Sequence, residues 1–227
     1  MDAPGSVAVV IPSLNEQGRI GACVASVVEG AREVVVVDGG STDATVAEAQ
    51  AAGACVVRGP RGRAAQMEAG ACHARGEWLV FLHADTRLSV GWADALRRLP
   101  GDVVGGGFRF SLDSPRLRYR LVEAGVRLRC ALLRLPFGDQ ALFARREAYR
   151  AVGGFGDVPI LEDVDLIRRL RRLGPLGFPA VRALTSPRRW EQRGFLPTTF
   201  CDWSVMLLDA VGWPRERLAR FYGVRGS

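Results

Sequence analysis

Acidic residues that close or follow apolar segments are the first candidates for chemistry in this sequence. They are Asp38 after residues 34–37, Asp85 after residues 78–82, and Glu162-Asp163 at the start of a helical pattern. A carboxylate just past the C-terminal end of a buried parallel strand stands where open α/β sheets bind ligands. Asp38 and Asp85 both occupy such a place, and parallel strands bring them to one sheet edge. An acid in the first turn of a helix favours the dipole; that accounts for one of Glu162, Asp163 and Asp165 but not readily for all of them. The chain as a whole carries a net charge of +7, so a gathered acidic site needs a purpose. A divalent cation, Mg2+ or Mn2+, supplies it, with one or two carboxylates as hard oxygen ligands and substrate phosphates in the remaining positions. Asp85 is expected to hold that metal against a diphosphate.

The basic residues narrow the field. All 31 are arginine, which removes Walker-A phosphate binding and Schiff-base chemistry together. His73 and His83 are the only histidines, so zinc sites built from two or three imidazoles are not expected. The five cysteines are dispersed, odd in number and free of any Cys-x-x-Cys, a pattern of reduced thiols in a cytoplasm. Residues 1–6 lack the basic-then-apolar pattern of a secretory leader. The most apolar late stretch, 195–211, is interrupted by Pro197, Asp202 and Asp209 and should not span a bilayer.

The elements that must position these side chains read in order. Residues 7–11 form a first strand ended by Pro12, followed by a loop and a helix with Ile20, Cys23, Val24, Val27 and Val28 on one face. A second strand, 34–37, runs into Asp38-Gly39-Gly40-Ser41-Thr42-Asp43, where Ser41 or Thr42 can cap the helix 44–52. A short strand 55–57, a helix 64–74 and the apolar run at Trp78 complete a β-α-β-α-β-α-β alternation, which argues for a parallel, doubly wound half-sheet. Beyond it come a helix at 91–99, a glycine-containing strand 103–110 at an edge or bulge, and a long basic helix 115–135. On that helix Leu117, Leu121, Leu128 and Leu135 lie on one side and Arg120, Arg127 and Arg134 on another, which suits a solvated surface helix or contact with a membrane face. A strand at 141–144 and a helix from 160 to 172 follow. With 227 residues and 48% hydrophobic content, one domain is expected, 1–100 forming a ligand-binding half and 101–227 a second half ending in helices.

Five stretches in order carry a resemblance: Val9-Val10-Ile11-Pro12-Ser13-Leu14-Asn15-Glu16, Val36-Val37-Asp38-Gly39-Gly40-Ser41-Thr42-Asp43, residues 76–85, Gly153-Gly154-Phe155 and Glu162-Asp163-Val164-Asp165-Leu166. Together they resemble the successive motifs of family 2 glycosyltransferases with the GT-A fold. The resemblance implies an α/β, mostly parallel sheet flanked by helices, a nucleotide-diphosphate sugar donor (a UDP-sugar), a hydroxyl acceptor that is a small molecule or lipid-linked, and an inverting mechanism. By position, Pro12, Asn15 and Glu16 would line the nucleotide and Asp38 would accept a hydrogen bond from the base, with Arg63 as a base or phosphate contact. Asp85 matches the second acid of the family's Asp-x-Asp, and His83 stands in place of the first as a further metal or phosphate ligand. Asp163 matches the general base, with Glu162 orienting the site or receiving the acceptor. Arg189 would reach the diphosphate. Asp139, Gln140 and Trp190 would meet the acceptor. Ser186 replaces the glutamine of the Gln-x-x-Arg-Trp motif of processive members, so polymer export is not implied. The variants Phe81-Leu82-His83-Ala84-Asp85-Thr86 and Ser186-Pro187-Arg188-Arg189-Trp190 resemble a small soluble bacterial subgroup associated with arsenosugar biosynthesis. A cytoplasmic location, peripheral at the inner membrane face, goes with this reading, and nucleic acid is not an expected partner.

Other classes fit less well. A nicotinamide dehydrogenase needs Gly-x-Gly-x-x-Gly after the first strand, and 12–18 holds one glycine. Gly39-Gly40-Ser41-Thr42-Asp43 fails as a nucleophile elbow at its last position. A sugar-nucleotide nucleotidyltransferase, or a catalytically silent binder of nucleotide-sugars or membrane surfaces, remains as an alternative.

Overall fold

The computed structural model describes residues 5–156, 158 and 160–222; part of the N-terminal stretch read for a leader lies outside them. Strand β1 (Val7–Ser13) is buried along its whole length and pairs in parallel with β2 (Glu33–Asp38) on one side and β4 (Trp78–Phe81) on the other. The β-branched runs of β1 and β2 fill both faces of the sheet, as central parallel strands require. Strand β3 (Cys55–Arg58) adds to β2 in parallel. Helices α1 (Ile20–Ala25), α2 (Thr45–Ala51) and α3 (Arg63–His73) connect these strands, giving the doubly wound half expected. Pro12 belongs to the strand rather than to the loop. It pairs with Val37 on the β2 side, whereas the β4 register stops at Val10 opposite Phe81, so its missing N–H is not needed there.

The sheet continues in mixed sense through β8 (Leu142–Arg145), β6 (Gly105–Gly107) and β9 (Leu176–Gly177), in the order β3-β2-β1-β4-β8-β6-β9. The segment 103–110 is therefore not one edge strand. At Phe108 the chain leaves the large sheet: the Phe108 N–H donates to the Gln140 carbonyl, and the Arg109 N–H to that of Val181. Strand β7 (Arg109–Leu112) then joins a second sheet with β10 (Arg182–Thr185) and β5 (Thr86–Leu88), in the order β5-β10-β7. No periodicity announced this small sheet. Its function is positional, because β5 starts directly after Asp85 and β10 ends just before Ser186 and Arg188.

Helices α4 (Trp92–Arg97), α5 (Leu117–Leu133), α6 (Arg146–Ala151), α7 (Glu162–Leu173), α8 (Arg188–Arg193), α9 (Phe195–Ala210) and α10 (Arg215–Tyr222) complete the fold. On α5 the leucine side is the exposed one. Tyr119 and Glu123 face inward, while Leu117, Leu121 and Leu128 are exposed and Leu135 is buried beyond the helix end. Glu123 earns its burial by accepting from the Leu112 N–H at 2.8 Å and the Ser111 hydroxyl at 3.0 Å. Neither Ser41 nor Thr42 caps α2; the Asp43 carboxylate accepts the Thr45 N–H at 3.0 Å instead. Among the described residues, no helix is long and apolar enough to cross a membrane.

Candidate active site

The carboxyl ends of β1 and β2 are stitched loop to loop. Asn15 adopts a left-handed conformation at φ 54°, which asparagine tolerates better than most residues. Its N–H donates to the Ser41 hydroxyl at 2.9 Å, and its side-chain oxygen accepts the Thr42 N–H at 2.9 Å. The Glu16 N–H donates to the Thr45 hydroxyl at 2.8 Å. Asp38 is buried, and its carboxylate accepts the N–H groups of Gly40 at 3.0 Å and Ser41 at 3.1 Å. It thus shapes its own turn at the sheet edge. From α3, the Gln66 amide donates to the carbonyls of Ser13 at 2.8 Å and Val37 at 3.2 Å, locking the ends of the two strands together.

Beside this edge lies a cavity of about 280 Å3 whose lining includes Arg63, His83, Asp85, Asp139, Asp163, Arg189 and Trp190. Pro12, Asn15, Glu16, Asp38, Glu162 and Gln140 are not part of that lining. The expectation that Asp38, Asp85 and Asp163 share one cavity therefore holds for the last two only. Asp38 shares their sheet edge, but its carboxylate is turned into its own loop.

The start of α7 supplies the acidic wall. Leu161, at φ 60°, turns the chain so that Glu162 and Asp163 enter the helix side by side, both buried. The Glu162 carboxylate accepts from Arg63 Nε at 2.6 Å. Burial works against its charge, but Arg63 outweighs burial and holds Glu162 below the usual carboxylate range. Asp163 accepts the Gly138 N–H at 2.6 Å and its neighbour Val164's N–H at 2.8 Å. Burial, then the adjacent Glu162, push its carboxyl upward despite these bonds. Two neighbouring acids with opposite shifts are the arrangement by which sites separate a fixed anion from a proton acceptor. Across from them, burial and then Arg63 push His83 down to about 3, so its imidazole is neutral at pH 7.

Asp85 and Glu16 meet through one arginine. Arg188 Nη2 lies 3.3 Å from Glu16 Oε1 and 4.0 Å from Asp85 Oδ2. The Ser186 N–H donates to the Asp85 carbonyl at 3.1 Å, and the Thr86 and Thr185 hydroxyls bond at 3.0 Å, so the small sheet sets this pairing. Burial and then the charge of Glu16 raise the Asp85 carboxyl. A hard divalent cation fits such a donor set, since the two acids crowd one another and phosphates would fill the other positions. Among the described residues no three His, Cys, Asp or Glu side chains gather as a metal cluster.

The remaining wall is made by later elements. Asp139 Oδ1 is buried without a hydrogen-bond partner, and burial, with a contribution from Asp163, raises its carboxyl to about 6. Gln140 has its side chain fully engaged: it accepts from Arg129 at 2.8 Å and the Phe137 N–H at 3.2 Å and donates to the Phe108 carbonyl at 3.0 Å. It anchors the loop, not the cavity surface. Arg189 is bound to Asp202 and Tyr222. Trp190 is 6% exposed, packs with Phe110, Leu112 and Tyr119, and donates its indole N–H to Thr199 at 3.3 Å.

Residues 8–150, more than half of the chain, match the family model described as glycosyl transferase family 2. The chain belongs to that family. None of the curated proteins matches it. Among solved structures it is similar to glucosyl-3-phosphoglycerate synthase from Mycobacterium tuberculosis in complex with Mn2+, UDP and glucosyl-3-phosphoglycerate, at 23% identity and a TM-score of 0.60, over 92% of this chain and 81% of that one. It is also similar to mannosyltransferase PcManGT from Pyrobaculum calidifontis in complex with GDP-Man and Mn2+, at 22% identity and 0.58, over 78% of this chain and 56% of that one. A mycobacterial protein aligns at 24% identity and 0.54, over 80% of this chain and 65% of its own. The chain thus spans less than two thirds of the last two. These likenesses show a shared GT-A fold, an α/β architecture with a mostly parallel sheet and a helical C-terminal region.

Several residues in or beside the cavity of this family 2 glycosyltransferase were not singled out from its sequence. Arg188, beside Asp85, is the neighbour of the arginine chosen for the diphosphate and was read only as part of the Arg-Trp motif. Arg129 stacks over the Phe137 ring at 3.6 Å and was hidden among the arginines of α5. Asp202 left a readable signal: an acid inside an apolar helix needs a cation beside it, and Arg189 is that cation. Tyr222 left none.

Proposed function

We propose that this glycosyltransferase moves a sugar from a nucleotide-diphosphate sugar, a UDP-sugar, to an acceptor hydroxyl with inversion at the anomeric carbon, using Asp163 as general base. The observation that carries this reading is the split between Glu162, tied to Arg63, and Asp163, raised by burial and facing the cavity. In the transfer step the acceptor O–H loses its proton to Asp163 as its oxygen bonds to the anomeric carbon. The bond from that carbon to the diphosphate breaks, and the nucleoside diphosphate departs. General-base assistance of this kind contributes roughly 10²- to 10⁴-fold. Direct displacement inverts the carbon because attack and departure lie on opposite faces.

Asp85, with Glu16 at its side, would hold a divalent cation, which when bound offsets the diphosphate's charge. Arg188 stands where it can meet the same phosphates, and His83, neutral beside Gly138, lines the floor. The nucleotide lies along the stitched edge of Pro12, Asn15 and Asp38, and the acceptor enters past Asp139. In this reading the first part of the single domain handles the donor and the part beyond β6 the acceptor. Two of the similar structures were solved with a nucleotide and Mn2+, which supports a metal-assisted donor site.

The test is calorimetry with UDP-sugars and Mn2+ on the wild type and Asp163→Asn, followed by turnover. Retained donor binding with lost transfer is expected. Wild-type transfer by Asp163→Asn would remove the base assignment, and pyrophosphate-dependent exchange would point to a nucleotidyltransferase instead.

A further inference from the structure

An extended exposed apolar surface lies on α5 and α9, at the rim of the cavity. Leu117, Leu121, Leu128 and Leu132 are between 59% and 83% exposed, and their spacing puts them on one side of a helix. On α9 and its end, Leu196, Phe200, Trp203, Leu207 and Val211 form a second such stripe, each at least 44% exposed. The stripes meet at Trp203, whose ring closes on Gly125: a Cβ there would lie 3.3 Å from Trp203 Cζ2. Soluble chains rarely leave a contiguous apolar surface of this kind without a partner.

We propose that this ridge docks the protein on a bilayer surface bearing acidic headgroups. The charges around it choose that occupant. On the α5 wheel Arg118 flanks the leucine stripe on one side and Arg127 on the other, while the helix's one acid, Glu123, is buried and already paired with Arg120. The acids of α9 do not oppose the lipid, since Asp202 is held by Arg189 and Asp209 by Arg168 and Arg215. An apolar stripe edged by arginines is the pattern of helices that lie in a membrane interface. A second copy of the chain would bring arginine rows against each other in a self-complementary contact. Trp203 also lines the cavity, so docking sets its mouth at headgroup level. If the transfer reading above holds, the acceptor is then a hydroxyl carried on a lipid.

Co-sedimentation of the full chain with vesicles of phosphatidylcholine alone, or mixed with phosphatidylglycerol, tests the surface. Binding to the mixed vesicles is expected. The pairs Leu121→Ser with Leu128→Ser and Phe200→Ser with Leu207→Ser each lose about a hundredfold in vesicle affinity, because each exposed side chain withdrawn from lipid forfeits about a decade. Arg118→Glu with Arg127→Glu loses the preference for phosphatidylglycerol. Brominated lipid quenches wild-type tryptophan emission, and Trp203→Phe reduces that quenching, a readout that needs no leucine variant to fold. No binding to mixed vesicles, binding unchanged in the leucine pairs, or a solution dimer that the leucine pairs dissociate would each overturn the proposal. Vesicle binding requires neither donor nor turnover, so its failure is separable from failure of the transfer reading.

Discussion

Gly138 donates its backbone N–H to Asp163 at 2.6 Å while leaving space that no other residue could leave: a Cβ there would fall 3.0 Å from His83 Nε2 and 3.2 Å from Asp163 Oδ2. The loop residue thus orients the carboxylate and keeps the imidazole at a fixed distance from it. Gly138→Ala displaces both by a few tenths of an ångström. We expect a loss of roughly ten- to a hundredfold in kcat with donor affinity unchanged, since small misplacements of reacting groups are costly. Steady-state kinetics beside UDP titration measure the two separately.

Glu162 raises the carboxyl of Asp163 through its charge, after burial. Glu162→Gln removes that charge and frees Arg63 to act on Asp163, so the Asp163 carboxyl titrates at lower pH. Transfer needs the ionised base, and the acid limb of the pH–rate profile should move to lower pH in the variant. A limb that stays in place or moves upward contradicts the assignment.

Asp139 is buried with one oxygen unpartnered and a carboxyl raised to about 6. A raised acid favours folding in its protonated form: its contribution is complete below the ordinary value of 3.8 and is lost as pH climbs through about 6. Asp139→Asn should remove this slope and stabilise the protein at neutral pH by up to about 3 kcal/mol. Urea melts from pH 4 to pH 8, an interval chosen to bracket both pKa values, show it, and a steeper decline in the variant would refute it.

Arg188 holds Glu16 and Asp85 together. Asp85→Asn is expected to abolish the Mn2+ dependence of UDP binding, and Arg188→Ala to weaken UDP binding roughly tenfold or more at saturating Mn2+, as loss of a charge-assisted contact to phosphate does. Calorimetry with and without the metal separates the two. Equal loss of metal dependence in both variants would mean that Arg188 acts only by placing Asp85.

The parallel half of the fold was legible because its strands are unbroken β-branched runs and its loops carry glycine and acids at each strand end. Asp85 and Asp163 were legible for the same reason, as polar interruptions of apolar segments. The second sheet was not, because β5, β7 and β10 are each four residues or fewer, too short for alternation to register. Asp38 was misplaced relative to the cavity because sequence gives the edge a residue reaches but not which way its carboxylate turns. Which way the leucines of α5 face was not legible, since periodicity finds an apolar stripe without saying what covers it.

The junction between β4 and β8 joins residues 78–81 to 142–145 in an antiparallel pair. During synthesis, the growing polypeptide has β1 through β4 ready to assemble while the free side of β4 still awaits a strand more than sixty residues downstream. That flank is an unpaired, wholly apolar edge for several seconds at ordinary translation speeds. Chaperone dependence on the ribosome should therefore concentrate in that interval and end once β8 has emerged.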